Sequence, residues 1–387
     1  MAPPTSAPGR PAGTWCARTA AFVGLAVVLA ACGAASEAGG GRTPAPVSTA
    51  SATSPPGPQS TATSETATPT EEPAPGPVTI ALGGDVHFEG PLRKRLADPA
   101  SALDTVAPLL SGADLAVVNL ESSVGTGGTP EPKRFRFQAP PTALTALAAA
   151  GVDVVTMANN HAKDFGDDGF AQTLAAAADA ETDDPPVSIV GVGADAAAAF
   201  APAVREVRGT TVAVIGAHSA DDPTADQTAH WAADEERPGV AVTRDGLGPL
   251  VDALREAAGR ADVVIVFMHW GVQGESCPSE SQRATARALA DAGATAVVGS
   301  HAHELQGSGL LDTTYVAYGL GNFVWYRPGP TGVLTLTVLD GRVAGETWIP
   351  AEIGTDGLPV AVQGTEAERL SAEFAGLRDC TDLTALG

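Results

Sequence analysis

The sequence predicts an α/β fold, and three observations carry that reading. From Val78 onward, short apolar runs alternate with Ala-rich amphipathic stretches. The runs VTIAL, DVVIVF and TAVVG are rich in Val and Ile and nearly unbroken, as in strands covered on both faces. Each run then ends in a polar cluster instead of a neutral turn.

Taken in order, VTIAL (78–82) is followed by an amphipathic stretch at 103–111, DLAVVNL by one at 142–150, and VDVVTMA by one at 169–180. SIVGVG and TTVAVIGA come next, then a helical stretch at 247–259, DVVIVFMHW, a helical stretch at 281–292, and TAVVG. After His303 the pattern changes to TYVAYGLGNFVW, VLTLTVL, DGRVAGETWIPAEI and LPVAV, separated by Asp-Gly and Gly turns, which predicts a mostly antiparallel half. Residues 365–377 read as a closing helix. One domain over 78–387 is the simplest organisation.

The 77 residues before it read differently. Residues 1–32 carry only Arg10 and Arg18 as charges, then an apolar run from Ala20 to Ala31 that is too short to span a bilayer, then Leu29-Ala30-Ala31-Cys32. This is signal-peptide anatomy, and LAAC resembles a bacterial lipobox, which implies cleavage before Cys32 and lipidation on it. Residues 33–77 are almost wholly Ala, Gly, Ser, Thr and Pro, a composition unable to offset chain entropy by burial, and so read as a disordered tether. The expected protein is an extracytoplasmic lipoprotein held to the cell membrane by a lipid anchor. Of the four cysteines, Cys16 leaves with the leader and Cys32 takes lipid; Cys277 and Cys380 remain. In an oxidising compartment such a pair is expected to form a disulfide tying the C-terminal tail to the loop after HWG; two buried free thiols are the alternative.

The chain has 387 residues and a net charge of -23. From Val78 on there are 41 acidic and 19 basic residues, so the negative charge belongs to the folded part. That excludes nucleic acid as a partner, because phosphate binding needs an excess of cations.

The polar clusters carry the chemistry. They are GGDVHFEG (83–90), NLESSVG (119–125), ANNHAKDFGDDG (158–169), HWGVQGESC (269–277) and GSHAH (299–303), and five of the seven histidines fall inside them. In open α/β sheets the crevice lies at the carboxyl ends of strands, so the clusters should converge. Imidazole, carboxylate and amide oxygen together suit Zn, Mn or Fe, and not a thiolate site. Each cluster also has a plainer reading, as a helix cap, a turn residue or a core imidazole; all five together favour a site.

The ordered set Asp-x-His, Asn-x-Glu, Asn-Asn-His, His-Trp-Gly and Gly-Ser-His-x-His, with YVAYGLGNF (315–323), resembles the CapA family of poly-γ-glutamate capsule biosynthesis proteins, itself similar to the calcineurin-like metallophosphoesterases. The resemblance spans roughly residues 78–340. It implies a four-layer α/β/β/α sandwich and two divalent transition metals, one held by Asp85, His87 and His303, the other by Asn160, His269 and His301, with Glu121 bridging. The chain departs from the phosphoesterase pattern at Asn119-Leu120-Glu121, where Gly-Asp is usual, and at ANNH, where Gly-Asn-His is usual.

On this reading His161 faces substrate and stabilises developing charge or protonates the leaving group. Asp164 either orients His161 or caps the next helix. Glu275, Gln282 and Asn322 are candidate substrate contacts, with a solvated helix start and a buried turn amide as the plainer alternatives. Trp270 is expected to wall a pocket, while His218 and His230 have no role. The resulting expectation is a metal-dependent hydrolase acting on a phosphoester or on an amide of an anionic envelope polymer. A non-catalytic component of a capsule synthesis and export complex, and a solute-binding lipoprotein, are the two other readings.

Overall fold

The computed structural model describes residues 76–220, 225–243 and 246–387. The leader with Cys32 and nearly all of the tether lie outside the described residues. The described part belongs to one compact unit, Thr70–Gly387. Among the described residues no helix is long and apolar enough to cross a membrane.

Two sheets form the centre. The first contains four parallel strands, β1 (Val78–Val86), β2 (Leu115–Leu120), β3 (Val154–Thr156) and β4 (Ser188–Val190). The second runs through β5 (Ala203–Val207), β6 (Thr210–His218), β7 (Val263–Trp270), β8 (Ala296–His301), β9 (Ser308–Leu311) and β10 (Thr314–Ala317), in the order β9-β10-β8-β7-β6-β5. The chain then returns to the first sheet with β11 (Asn322–Val324), β12 (Gly329–Leu339), β13 (Arg342–Ile353) and β14 (Pro359–Ala361). β12, β13 and β14 extend the β1 edge in antiparallel fashion, as the Asp-Gly and Gly turns predict. β10 and β11 depart from that antiparallel half: β10 pairs parallel to the first residues of β8, and β11 pairs parallel to the carboxyl end of β1 at Asp85 and Val86.

The sheets face each other. Ile80, Leu82, Val117 and Val154 of the first pack with Val212, Val214, Ile265, Phe267 and Val298 of the second in one buried cluster. The nearly unbroken apolar runs follow from this, since the opposite face of each sheet is covered too. Helices α1 (Thr142–Ala149) and α2 (Gly166–Ala180) cover the first sheet through Leu144, Leu147 and Phe170. Helices α3 (Gly248–Ala258) and α4 (Glu280–Asp291) cover the second through Leu250, Leu254 and Leu289. The result is the four-layer α/β/β/α sandwich.

Helix α5 (Gly364–Gly376) closes the chain, stacking Phe374 on Trp348 of β13 at 4.1 Å. Cys277 and Cys380 are joined as a disulfide with Cα atoms 5.8 Å apart. The expected helix over 103–111 shrinks to a single turn, Ala107–Leu110. Pro108 lacks an N–H and fits only the first turn of a helix, so the preceding residues form turns. Trp270 also differs from expectation. It is 1% exposed, inside the cluster under α3 and α4, and its indole N–H donates to the Tyr318 carbonyl at 2.7 Å.

Candidate metal centre

The carboxyl ends of β1, β2, β3, β6, β7 and β8 meet at one place, and that is where the polar clusters sit. Asp85 is positioned by a close backbone approach: its N–H donates to the Gly321 carbonyl at 2.8 Å, and a Cβ on the neighbouring Gly84 would lie 2.0 Å from that same oxygen. Only glycine permits this contact, which explains Gly83-Gly84 ahead of the aspartate. β1 aligns Asp85 with Asn119 of β2 on one side and with Asn322 of β11 on the other.

The Asp85 side chain links the two sheets. Its Oδ1 accepts from Asn119 Nδ2 at 2.8 Å, while its Oδ2 accepts from the His301 backbone N–H at 3.1 Å and lies 3.3 Å from His303 Nδ1. His301 and His303 both adopt left-handed backbone, with φ of 91° and 59°. Such conformations cost about 1–3 kcal/mol each in non-glycine residues and persist where surrounding contacts demand them. Here they turn both imidazoles of GSHAH toward the same crevice.

Glu121 sits at the centre. It is fully buried, neither carboxylate oxygen has a hydrogen-bond partner, and three imidazoles lie near Oε1: His161 Nε2 at 3.6 Å, His269 Nε2 at 3.8 Å and His303 Nε2 at 3.9 Å, with His301 Nδ1 2.9 Å from His269 Nε2. Two sets of ligand atoms lie within 4.8 Å of one another, Glu121-His269-His301 and Asp85-Glu121-His303, and Glu121 belongs to both. Asn160 Oδ1 joins the first set at 2.7 Å from His269 Nε2.

The electrostatics agree with a site for cations. Burial pushes the Glu121 carboxyl well above the usual carboxylate range; the charges of Asp85 and Asp164 reinforce this, while His303 and Lys133 oppose it. Burial and then the other imidazoles hold His269 and His301 well below the ordinary histidine value, so both are in the neutral form that ligates metal. Burial also pushes His303 down, but the Glu121 charge and the hydrogen bond and charge of Asp85 outweigh it and raise the group to about 9. A buried carboxyl group with both oxygens lacking hydrogen-bond partners, beside the neutral imidazoles of His269 and His301, is costly to ionise without a nearby cation and well matched to a metal ion. The residues are therefore placed to hold a divalent metal.

His161 lies beside this set. Its Nδ1 is 2.5 Å from Asp164 Oδ2, so Asp164 takes the orienting place and not the helix-capping one. Burial lowers the imidazole to about 4, with Asp164 opposing and Lys133 adding to the effect. His87 is also fully buried, yet it stands outside both ligand sets. Its Nδ1 accepts from the Glu89 N–H at 2.9 Å, its ring packs on Trp325 at 4.0 Å and Tyr326 at 4.6 Å, and its Nε2 has no partner.

The three candidate substrate contacts separate. Asn322 lines a cavity of about 560 Å³ that opens on His303, and its Oδ1 has no partner. Glu275 is exposed in the loop 271–279, whose neighbours Gly274 and Ser276 line the same cavity. Gln282 is 2% exposed and occupied otherwise. It closes a capping box with Ser279 at the start of α4, and its Nε2 donates to Gln306 Oε1 at 2.8 Å.

Several functional neighbours carry no sequence pattern that finds them. Lys133 forms a 2.6 Å ion pair with Asp164, and Phe137 stacks on His161 at 4.1 Å; both lie in an irregular segment. Asn159 donates to Asn119 Oδ1 at 3.0 Å and to the Leu120 carbonyl at 2.8 Å, and the Asn doublet was its only signal. His218 ends β6 with Nδ1 3.2 Å from the His269 carbonyl and Nε2 2.8 Å from Thr228 Oγ1, which supports the strand end that carries His269.

Comparison with known proteins identifies a family for the chain. The model of a family described as bacterial capsule synthesis protein PGA_cap matches residues 79–327. PGA biosynthesis protein CapA of Bacillus subtilis (strain 168) is 31% identical over 228 residues, covering 58% of this chain and 57% of that protein. Capsule biosynthesis protein CapA of Bacillus anthracis is 30% identical over 258 residues, covering 64% and 60%. The chain thus matches less than two thirds of the length of either. A probable polyglutamine synthesis accessory protein of Mycobacterium tuberculosis (strain ATCC 25618 / H37Rv) is 30% identical over 294 residues, covering 69% and 75%. Among solved structures, a phosphatase from Mycoplasma pneumoniae overlaps with a TM-score of 0.44 at 14% identity, covering 76% of this chain and 97% of that one. With its family match running from β1 to just beyond β11, across every strand end that builds the centre, this chain belongs to the bacterial capsule synthesis protein PGA_cap family.

Proposed function

We propose that the protein is an extracytoplasmic lipoprotein, anchored through Cys32, whose dimetal centre hydrolyses a bond in an anionic capsule or envelope polymer of the poly-γ-glutamate type. One observation carries the reading: a single buried carboxylate, Glu121, is shared by two ligand sets and has no other partner. Asp85, Glu121 and His303 would hold one ion, with His87 alongside; Glu121, Asn160, His269 and His301 would hold the other. Nitrogen and oxygen donors of this mixture suit Zn, Mn or Fe. Two such ions supply Lewis acidity for an in-line displacement.

The protein's own residues do the rest. Asp85 fixes His301 through its backbone and His303 through its ring, so both imidazoles enter the crevice in set orientations. Asp164 holds the proton of His161 at Nδ1, which leaves Nε2 directed at the reacting centre. With its imidazole lowered to about 4, His161 is neutral in the free protein. An anionic group bound beside Nε2 favours its protonated form, so the proton needed by a leaving group arrives with the substrate. Asn322 and the adjoining cavity would receive the part of the chain next to the scissile bond.

The test is elemental analysis of the purified chain, with turnover of a phosphodiester and of γ-glutamyl oligomers. Bound transition metal, with both metal and turnover lost on His301→Ala, is the expected result. A metal-free protein whose deletion abolishes surface polymer while Asp85→Ala preserves it would instead establish a non-catalytic part in polymer synthesis or export.

A further inference from the structure

The segment Lys133–Phe137, KRFRF, is rooted at the metal centre at both ends and exposed in the middle. At one end the Lys133 side chain is 9% exposed; its Nζ pairs with Asp164 Oδ1 at 2.6 Å, donates to the Asn160 carbonyl, and lies 5.1 Å over the Trp231 ring. At the other end the Phe137 N–H donates to Asp164 Oδ2 at 2.6 Å, and its ring lies between His161 at 4.1 Å and His87 at 4.9 Å. The preceding residues are fastened to the same place, Glu131 N–H to the Asp164 carbonyl at 2.8 Å and Thr129 N–H to the Phe165 carbonyl at 3.0 Å. Between these roots Arg134, Phe135 and Arg136 are exposed. The Arg134 guanidinium stacks over Phe135 at 4.8 Å, and neither arginine makes an ion pair with a described residue.

This stands out against the rest of the domain. Three cations occupy four consecutive positions in a folded part that holds 41 acidic and 19 basic residues. Arg93 donates to the Gln138 carbonyl, which brings the turn of helix Gly90–Ala97, with exposed Lys94, against the end of the same segment. An acidic surface repels a polyanion at long range, so a polyanion reaching the crevice needs local cations free of ion pairs, and in this segment Arg134 and Arg136 are those cations, Arg136 being steadied by donating to the Glu131 carbonyl at 3.2 Å. Guanidinium groups match carboxylates in a two-point geometry, and a 47% exposed phenyl ring offers apolar cover for the methylenes between them. The cations are too few for nucleic acid, where binding rests on many phosphate contacts.

We propose that Lys133–Phe137 is an arm that grips a polycarboxylate chain at the mouth of the metal centre, with Arg134 and Arg136 as the residues that select it. This rests on the proposed reading of the site as acting on an anionic polymer. The experiment is fluorescence anisotropy of labelled poly-γ-glutamate with the metal-loaded full chain, comparing wild type, Arg134→Ala/Arg136→Ala, and a control Arg260→Ala/Arg342→Ala that removes two exposed cations elsewhere. The arm pair should weaken binding about tenfold, with a shallower salt dependence, unchanged metal content and little effect from the control. Binding unaltered by the arm pair, equal weakening by the control pair, or equally tight binding of duplex DNA would each overturn the proposal. Arginine-dependent binding by a chain that holds no metal would uphold the arm and overturn only the hydrolase reading.

Discussion

Replacing Glu121 by Gln should stabilise the metal-free protein while removing its response to metal. The carboxyl group is fully buried and both oxygens lack partners. The isosteric amide keeps the packing and the two polar atoms but removes the charge, whose burial without hydrogen-bond partners costs on the order of 1–3 kcal/mol beyond that of a neutral group. For a folded part of roughly 310 residues, unfolding entropy near 2.1 cal/mol/K per residue converts that gain into about 2–5 °C in melting temperature. Metal works in the opposite direction. At a free concentration one hundred times the dissociation constant each site contributes about 2.7 kcal/mol, or roughly 4 °C, and a ligand shared by two sites puts both contributions at risk. The assay is thermal unfolding of chelator-treated wild type and Glu121→Gln at pH 8, with and without added Zn or Mn. A variant that melts no higher than wild type without metal, yet keeps the full metal-induced rise, would refute the assignment of Glu121 as an unpaired, shared ligand.

His303 is raised to about 9, so in the metal-free protein its stabilising contribution is fully present below the unfolded value of about 6.5 and fades as pH rises through 9; urea midpoints at pH 6.5 and 9.5 should show a fall that His303→Gln reduces. Lys133→Met removes the cation from a wholly buried carboxylate whose Oδ2 keeps its contacts with His161 and Phe137, and chemical denaturation should report a loss of about 3 kcal/mol. The Cys277–Cys380 bridge closes a separation of 103 residues, and Cys380→Ser should cost about 2–5 kcal/mol, with the intact bridge read as a mass difference of about two hydrogens on reduction. If Cys32 carries the anchor, Cys32→Ser should move the protein from the membrane fraction to the soluble fraction on cell fractionation.

The fold and the ligand set were legible for a physical reason. Strands buried on both faces leave unbroken Val and Ile runs, and ligands placed at strand ends leave polar residues immediately after them, so His269 and Glu121 announce themselves by position. What was not legible is held by contacts distant in sequence. Lys133 lies in a segment without periodicity, and only the folded chain brings its ammonium to Asp164. His218 looked roleless because its partners are a carbonyl 51 residues away and a threonine in a short helix. Gln282 drew a substrate-binding reading because a polar residue after a strand also suits a helix cap, and the capping box with Ser279 is what the structure contains.

A Glu121 shared between two ions is the feature on which the proposed chemistry depends. The most direct measurement is anomalous scattering from crystals of the purified, metal-loaded chain, supported by elemental analysis in solution. Two peaks about 3.5–4 Å apart flanking Glu121, one beside Asp85 and His303 and the other beside His269 and His301, are the predicted result. No peak at Glu121, or metal bound elsewhere on the acidic surface with this crevice empty, would contradict it.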